Sequence, residues 1–389
     1  MALGRKLKYG MVGGGPGAFI GGVHRMAAAL DGSFELVAGA FSSNEERSRQ
    51  QGAELMLDAS RVYASFQEMA EREAAMPEGE GIDAVSVVTP NHMHFPVAKA
   101  FIEAGIHVIC DKPMTNTLED AETLCRLVKK HDVVFALTHN YTGYPMVKQA
   151  RAMVAAGRIG AVRKIVVEYP QGWLATPLER EGHKQASWRT DPKRAGAGAL
   201  GDIGSHAENL ARYVTGLELE SLCADVTTFV DGRSIDDDVN MLLRYQDGAH
   251  GVLHASQISV GEENNLNIRV HGETGSLQWF QEHPNYLYFR TLDGPEHVYK
   301  RGNDYLEEIA QHNTRLPSGH PEAFLEAFAN IYVNAGRTIA ARIAGEEPSP
   351  FDMDFPTVYD GAMGVHFILT ALESGRQRGW VDAAYTPPQ

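Results

Sequence analysis

The sequence predicts an α/β protein of two domains. A doubly wound domain is expected over residues 1–138, followed over residues 139–389 by an α+β domain built on a large open, mainly antiparallel sheet. Three observations carry this. The chain opens with a strand, a glycine cluster and a helix. Compact β-branched runs separated by helical stretches follow, and beyond residue 160 longer strand patterns alternate with turn signals instead of helices.

Taken in order, Leu7-Lys8-Tyr9-Gly10-Met11-Val12 reads as the first strand and the apolar segment Val23 to Leu30 as the first helix. Phe34 to Ala40 is the second strand and Glu45 to Leu57 the second helical stretch, at the spacing of a βαβ unit. The unit recurs: Asp83 to Val88, Ile106 to Cys110 and Val133 to Leu137 are near-continuous apolar runs, as a parallel sheet covered on both faces requires. Downstream, Arg163 to Tyr169, Leu222 to Val230, Asn240 to Tyr245, Gly251 to Ser259 and Asn265 to His271 are strand candidates. Asp247-Gly248 and Gly272-Glu273-Thr274-Gly275 supply turns between them. Phe324 to Ala344 and Val358 to Glu373 are amphipathic helices with two open destinations, the sheet or the first domain.

Composition excludes several classes. With 43% hydrophobic and 22% charged residues the chain is a folded globular one. A net charge of −15 argues against nucleic acid as partner, because phosphate-backbone affinity comes from clustered Lys and Arg. No apolar run approaches the ~20 residues that cross a bilayer, and Met-Ala-Leu-Gly-Arg-Lys leads into the first strand without a signal-peptide core. A cytoplasmic protein with no membrane partner is expected. Cys110, Cys125 and Cys223 are odd in number and widely spaced, so they read as reduced thiols. Open sheet edges favour a homo-oligomer, dimer or tetramer.

The chemistry begins at Gly13-Gly14-Gly15-Pro16-Gly17-Ala18-Phe19-Ile20-Gly21-Gly22, between the first strand and first helix. Glycines there let the backbone approach a pyrophosphate, whose charge suits the helix N-terminus. Gly13, Gly15, Pro16, Gly17 and Ile20 are the cofactor candidates. The spacing from Gly15 to Gly21 exceeds that of the usual fingerprint. Where the second strand would end in an acidic residue for the ribose of NAD, this chain has Phe41-Ser42-Ser43-Asn44, with Arg47 nearby. Ser42, Ser43 and Arg47 suit a 2′-phosphate, and Arg47 reads equally as a solvated helix residue. NAD and NADP both stay open.

Further elements are Thr89-Pro90-Asn91-His92-Met93-His94, Asp111-Lys112-Pro113-Met114 and Gly201-Asp202-Ile203-Gly204-Ser205-His206. With the glycine turn and His24 they make the chain resemble, over nearly its whole length, the glucose-fructose oxidoreductase and inositol dehydrogenase family (Gfo/Idh/MocA). The resemblance implies a Rossmann domain binding NAD or NADP and a sugar or cyclitol substrate. It implies that Lys112-Pro113 forms the loop over the nicotinamide, with Thr89, Pro90, Asn91, His94 and Asn140 on the cofactor side. Asp111 stands where the family's usual residue is Glu, one methylene longer. Trp188-Arg189 resembles a family element near the cofactor or substrate, and Tyr141 and His183 are implied to meet the substrate.

Chemistry agrees with the assignment of Lys112, Asp202 and His206 as catalytic and substrate-binding. Oxidising a carbinol needs a base for the hydroxyl proton, a donor to the developing alkoxide and a carbon held near the cofactor. His206 suits the first need and Lys112 the second. Asp202, four residues before His206, shares its face if residues 201–212 open a helix, and would orient the imidazole or a substrate hydroxyl. Each alone has a bland reading: helix cap, core histidine, surface charge. Within this set of motifs they read as catalytic.

The expected function is therefore an NAD(P)-dependent dehydrogenase acting on a carbinol carbon of a sugar, glycoside or cyclitol. Two alternatives stay open at this point: a glycoside hydrolase working by transient oxidation, elimination and re-reduction, and a non-catalytic sugar or cofactor sensor. No metal is expected, since His92, His94 and His139 lack carboxylate or cysteine partners. Asp236-Asp237-Asp238 reads as a solvated turn.

Overall fold

A computed structural model describes residues 3–389. Met1 and Ala2, read as part of a start without a leader, lie outside the described residues. Strands β1 (Leu7–Gly13), β2 (Phe34–Ala40), β3 (Ala84–Val88), β4 (His107–Cys110) and β5 (Phe135–Leu137) form an all-parallel sheet in the order β2-β1-β3-β4-β5. Every residue of β3 and β5 is buried, which is why these strands are apolar throughout. The crossovers carry helices α1 (Phe19–Leu30), α2 (Glu45–Glu54), α3 (Phe66–Ala74), α4 (His94–Glu103) and α5 (Leu118–His131). The doubly wound prediction holds. Strand order reverses between β1 and β3, so the ligand crevice of such a sheet lies beyond Gly13 and Val88.

The first helix is longer than the apolar pattern indicated, starting at Phe19 instead of Val23. The reason is packing. A Cβ on Gly21 would lie 2.5 Å from the Cα of Gly14, so the helix can run this close to the turn only with glycine there.

Downstream come α6 (Pro145–Ala155), β6 (Val162–Pro170), α7 (Lys184–Arg189), α8 (Pro192–Ala195) and α9 (Ser205–Thr215). Strands β7 (Leu219–Thr227), β8 (Asp238–Tyr245), β9 (His250–Ser256), β10 (Asn267–Gly272), β11 (Gly275–Phe280), β12 (Tyr286–Thr291) and β13 (His297–Lys300) follow. With β14 (Val381–Asp382) they make a nine-stranded open sheet, β13-β12-β11-β10-β6-β9-β8-β7-β14. Only β6 and β9 pair in parallel, so the sheet is mainly antiparallel, as expected. Short α10 (Glu308–His312) precedes the long α11 (Phe324–Ala344) and α12 (Val358–Gln377).

The chain forms two compact units. One runs to Asn140 and takes in Leu325–Ala362 and Pro387–Gln389; the other comprises Tyr141–Phe324 and Met363–Thr386. Of its two open destinations α11 takes the first domain: the hydroxyl of its Tyr332 lies 2.7 Å from His24 Nδ1 and 2.8 Å from Ser86 Oγ. Among the described residues no helix is long and apolar enough to cross a membrane.

The acidic run Asp236-Asp237-Asp238 corrects the sequence reading. Asp236 and Asp237 are buried. Asp236 accepts the backbone N–H of Gly198 and of Leu200, each at 2.7 Å, and Asp237 accepts those of Phe229 and Val230 and pairs with Arg233. These carboxylates satisfy loop amides that would otherwise be orphaned in the interior, a role that only tertiary contact reveals.

Candidate active site

In the first unit the crevice is built on glycine. Gly13 has φ +87°, and a Cβ there would stand 2.6 Å from the carbonyl oxygen of Val88, so β1 can turn away beside β3 only without a side chain. Gly15 and Pro16 continue the turn, Gly17 has φ +74°, and Ile20 lies within α1. Ala18, the residue before α1, makes no side-chain cap, which leaves the helix amides to an anion. Among the buried polar atoms of this unit that lack a hydrogen-bond partner are Thr89 Oγ1 and Asn140 Nδ2. A glycine cradle, an uncapped helix start and orphaned hydrogen-bonding atoms fit a dinucleotide.

Beyond β2, Ser43 and Arg47 are exposed and Ser42 half-buried. Ser42 Oγ accepts the Asn44 N–H at 3.1 Å, and the Asn44 side chain caps α2 through the Arg47 N–H at 2.9 Å. This corner is thus shaped by capping, with the Arg47 side chain in solvent.

Pro90 leads into a short 3-10 turn holding the buried Asn91. His94 has no exposed surface: its Nδ1 lies 2.8 Å from Pro113 O and its Nε2 2.9 Å from Thr89 O. A neutral imidazole donates to one of these carbonyls only, and burial lowers its pKa. His94 thereby ties the segment after β3 to the Lys112-Pro113 loop, with no ring nitrogen left for a ligand or metal. Lys112 is half-buried, and its bond to Pro113 is cis.

Asp111 accepts the Thr138 hydroxyl at 2.9 Å and faces His24 Nε2 at 3.9 Å. Burial by itself would raise its pKa. His24, then Lys112 and His94, outweigh that and hold the carboxyl well below the usual carboxylate range.

The second unit carries the other candidates. Where residues 201–212 were expected to open an α-helix, Leu200–Gly204 forms a π turn before α9. Two glycines and the Asp236 carboxylate on the amides of Gly198 and Leu200 favour the wider turn, a geometry common at functional sites. Asp202 sits in it, its Oδ2 accepting Gln257 Nε2 at 2.8 Å and lying 3.3 Å from Arg189 Nε. Arg189 also lies over the Trp188 ring, 4.3 Å from its centroid. Arg189, assigned to the cofactor by resemblance, is thus beside Asp202, with the Trp188 ring against its guanidinium.

His206 is buried, its ring edge-on to Tyr141 with centroids 4.8 Å apart and 6.3 Å from that of Tyr169. Tyr141 and Tyr169 share a short hydrogen bond. Beyond them Tyr169 donates to Asn264 Oδ1 at 2.7 Å, Gln171 Nε2 to the same oxygen at 2.7 Å, and Trp173 Nε1 to Gln171 Oε1 at 3.1 Å. His183, exposed, caps α7 and lies 6.1 Å from the Trp173 ring. Sequence reasoning missed Tyr169, Gln171, Trp173, Gln257 and Asn264; they lie in strand ends and loops, where a single sequence carries no signal.

Fold and cradle define the class: a nicotinamide-dinucleotide oxidoreductase with a Rossmann-type domain. Residues 7–170 match the oxidoreductase family with an NAD-binding Rossmann fold, and residues 147–278 the GFO/IDH/MocA C-terminal domain, and the chain belongs to that family. A solved oxidoreductase from Sinorhizobium meliloti is 46% identical, with TM-score 0.88 over 97% of this chain and 99% of that one. An inositol dehydrogenase homolog from Azotobacter vinelandii, solved with NADH and myo-inositol, is 35% identical, with TM-score 0.90 over 98% of each chain. The levoglucosan dehydrogenase of Pseudarthrobacter phenanthrenivorans is 29% identical, over 77% of this chain and 83% of its own length.

Proposed function

We propose that this protein is a dehydrogenase that moves hydride between NAD or NADP and a carbinol carbon of a sugar or cyclitol. The observation that carries the proposal lies in the second unit. His206, a residue type that exchanges protons near neutral pH, is held edge-on to Tyr141, and the neighbouring π turn presents Asp202 braced by Arg189 and Gln257. Two relatives with sugar or cyclitol in their names support the substrate class.

The bound nicotinamide supplies the hydride acceptor or donor. Gly13, Gly15, Pro16, Gly17 and Ile20 hold the pyrophosphate, Ser42, Ser43 and Arg47 meet the adenosine ribose, and Thr89, Pro90, Asn91, Asp111 and Asn140 meet the nicotinamide half. His94 serves that half by holding its loops. In oxidation His206 takes the hydroxyl proton, Lys112 donates to the oxygen as negative charge develops, and Asp202 positions the substrate or the imidazole. Trp188 and Arg189 act through Asp202, and His183 and Tyr141 contact the polyol.

The test is absorbance of reduced nicotinamide while the purified protein is offered NAD or NADP with cyclitols, free sugars and anhydrosugars. A stoichiometric rise with one polyol and one cofactor is expected. No rise with any member of the panel, in either direction of reaction, overturns the proposal.

A further inference from the structure

The Tyr141 cluster says how a polyol is recognised, an inference that rests on the dehydrogenase reading above. Trp173 is its fixed point, because an indole N–H can only donate. The Gln171 atom 3.1 Å from it is therefore Oε1, which turns Nε2 of the same amide toward Asn264 at 2.7 Å. That N–H needs an acceptor, so the Asn264 atom is Oδ1, and the same oxygen stands 2.7 Å from the Tyr169 hydroxyl. Tyr169 must spend its one proton on Asn264. The bond between the two phenols then runs from Tyr141 to Tyr169. Asn264 Nδ2, 3.3 Å from the Tyr141 oxygen, also donates to it. Burial raises the pKa of both phenols, so each keeps the proton this accounting assigns it.

Tyr141 has thus given its proton away and retains only acceptor capacity, beside His206. We propose that Tyr141 is a specificity-determining acceptor for one free substrate hydroxyl, and that Trp173, Gln171, Asn264 and Tyr169 are positioning residues that fix the direction of that bond. A ring position bearing a group that accepts but cannot donate is rejected there.

The test uses myo-inositol, or whichever polyol the absorbance panel selects, and its analogues carrying fluorine in place of each hydroxyl in turn. Fluorine is close to hydroxyl in size and cannot donate. Values of kcat/KM are measured for wild type, Tyr141→Phe and Tyr169→Phe, and binding to the NADH-loaded proteins is followed by calorimetry. In wild type one fluoro analogue should fall about tenfold or more below the parent, the worth of one well-made hydrogen bond. Tyr141→Phe should lower the parent about tenfold and leave that analogue unchanged, closing the gap at this position alone. Tyr169→Phe frees the Tyr141 proton and should raise the analogue relative to the parent. Unchanged hydroxyl-to-fluorine ratios in Tyr141→Phe, or equal losses for both compounds in Tyr169→Phe, overturn the inference while the dehydrogenase reading stands. Absence of wild-type turnover with the whole panel overturns both.

Discussion

Lys112, half-buried beside a carboxylate that stays ionised, and His206, buried against a phenol, differ in what their loss should do. Lys112→Ala removes a donor to developing negative charge, and kcat should fall about 10²–10³-fold with the protein still folded. His206→Ala removes the base and should cost about 10²–10⁴-fold in kcat, with the largest deficit at low pH relieved as hydroxide replaces the imidazole. Retention of wild-type turnover by either variant, on a verified substrate, removes that residue from the mechanism. Arg47 tests cofactor choice: its exposed side chain can reach a 2′-phosphate without remodelling α2. If NADP is used, Arg47→Ala should raise its KM about tenfold, as for loss of one charge-assisted hydrogen bond, and leave the KM of NAD in place. Equal changes for both cofactors would assign Arg47 to the solvent.

Among elements, the π turn is the most exposed to disturbance from a distance. Asp236 holds it by two backbone amides, and its replacement by Ala strands both in the interior at about 1–3 kcal/mol apiece. Asp236→Ala should therefore lower the denaturant midpoint and also kcat, because Asp202 rides on the turn. A drop in stability with kcat unaltered would separate the turn from catalysis. Such a carboxylate, on a loop before β8, looks in sequence like any solvated acidic run. The glycine turn behaves differently. Gly21 and Gly13 were visible as a cluster, while the close contact of Gly21 with Gly14, which fixes where α1 starts, was not.

Over the whole molecule, acid sensitivity should originate in the first unit. His107 Nδ1 accepts the Val134 N–H at 2.9 Å, and burial, then the charge of Arg342, lowers its pKa to about 4. Its unfolded value is about 6.5, so the unfolded chain takes the proton first as pH falls. The stabilisation is complete above pH about 6.5 and is lost between there and about 4, a change on the order of 3 kcal/mol. His107→Gln should flatten the fall in denaturant midpoint between pH 7 and pH 4.5, and an unchanged slope would place the titration elsewhere. The nine-stranded sheet leaves Leu242 of β8 half exposed and two free edges at β13 and β14. We expect light scattering to return a multiple of the 42.6 kDa chain mass, and a mass of one chain would refute assembly.

The sequence by itself determined the parallel sheet, because strands buried on both faces must be apolar throughout, and the cofactor class, because only glycine permits the turn after β1. It also located the large sheet's early strands along the chain and the motifs around Lys112, Asp202 and His206, while the order of those strands in the sheet, with β6 between β9 and β10, came from the tertiary structure. Tertiary structure decided what patterns of three or four residues do not encode. The return of α11 to His24 and Ser86, the bracing of Asp202 by Arg189 and Gln257, the burial of Asp236, and the chain from Trp173 to Tyr141 all join residues far apart in sequence. Periodicity reports which face of an element is buried; which polar groups meet across the interior, and which of them donates, is settled only when each buried donor must find an acceptor.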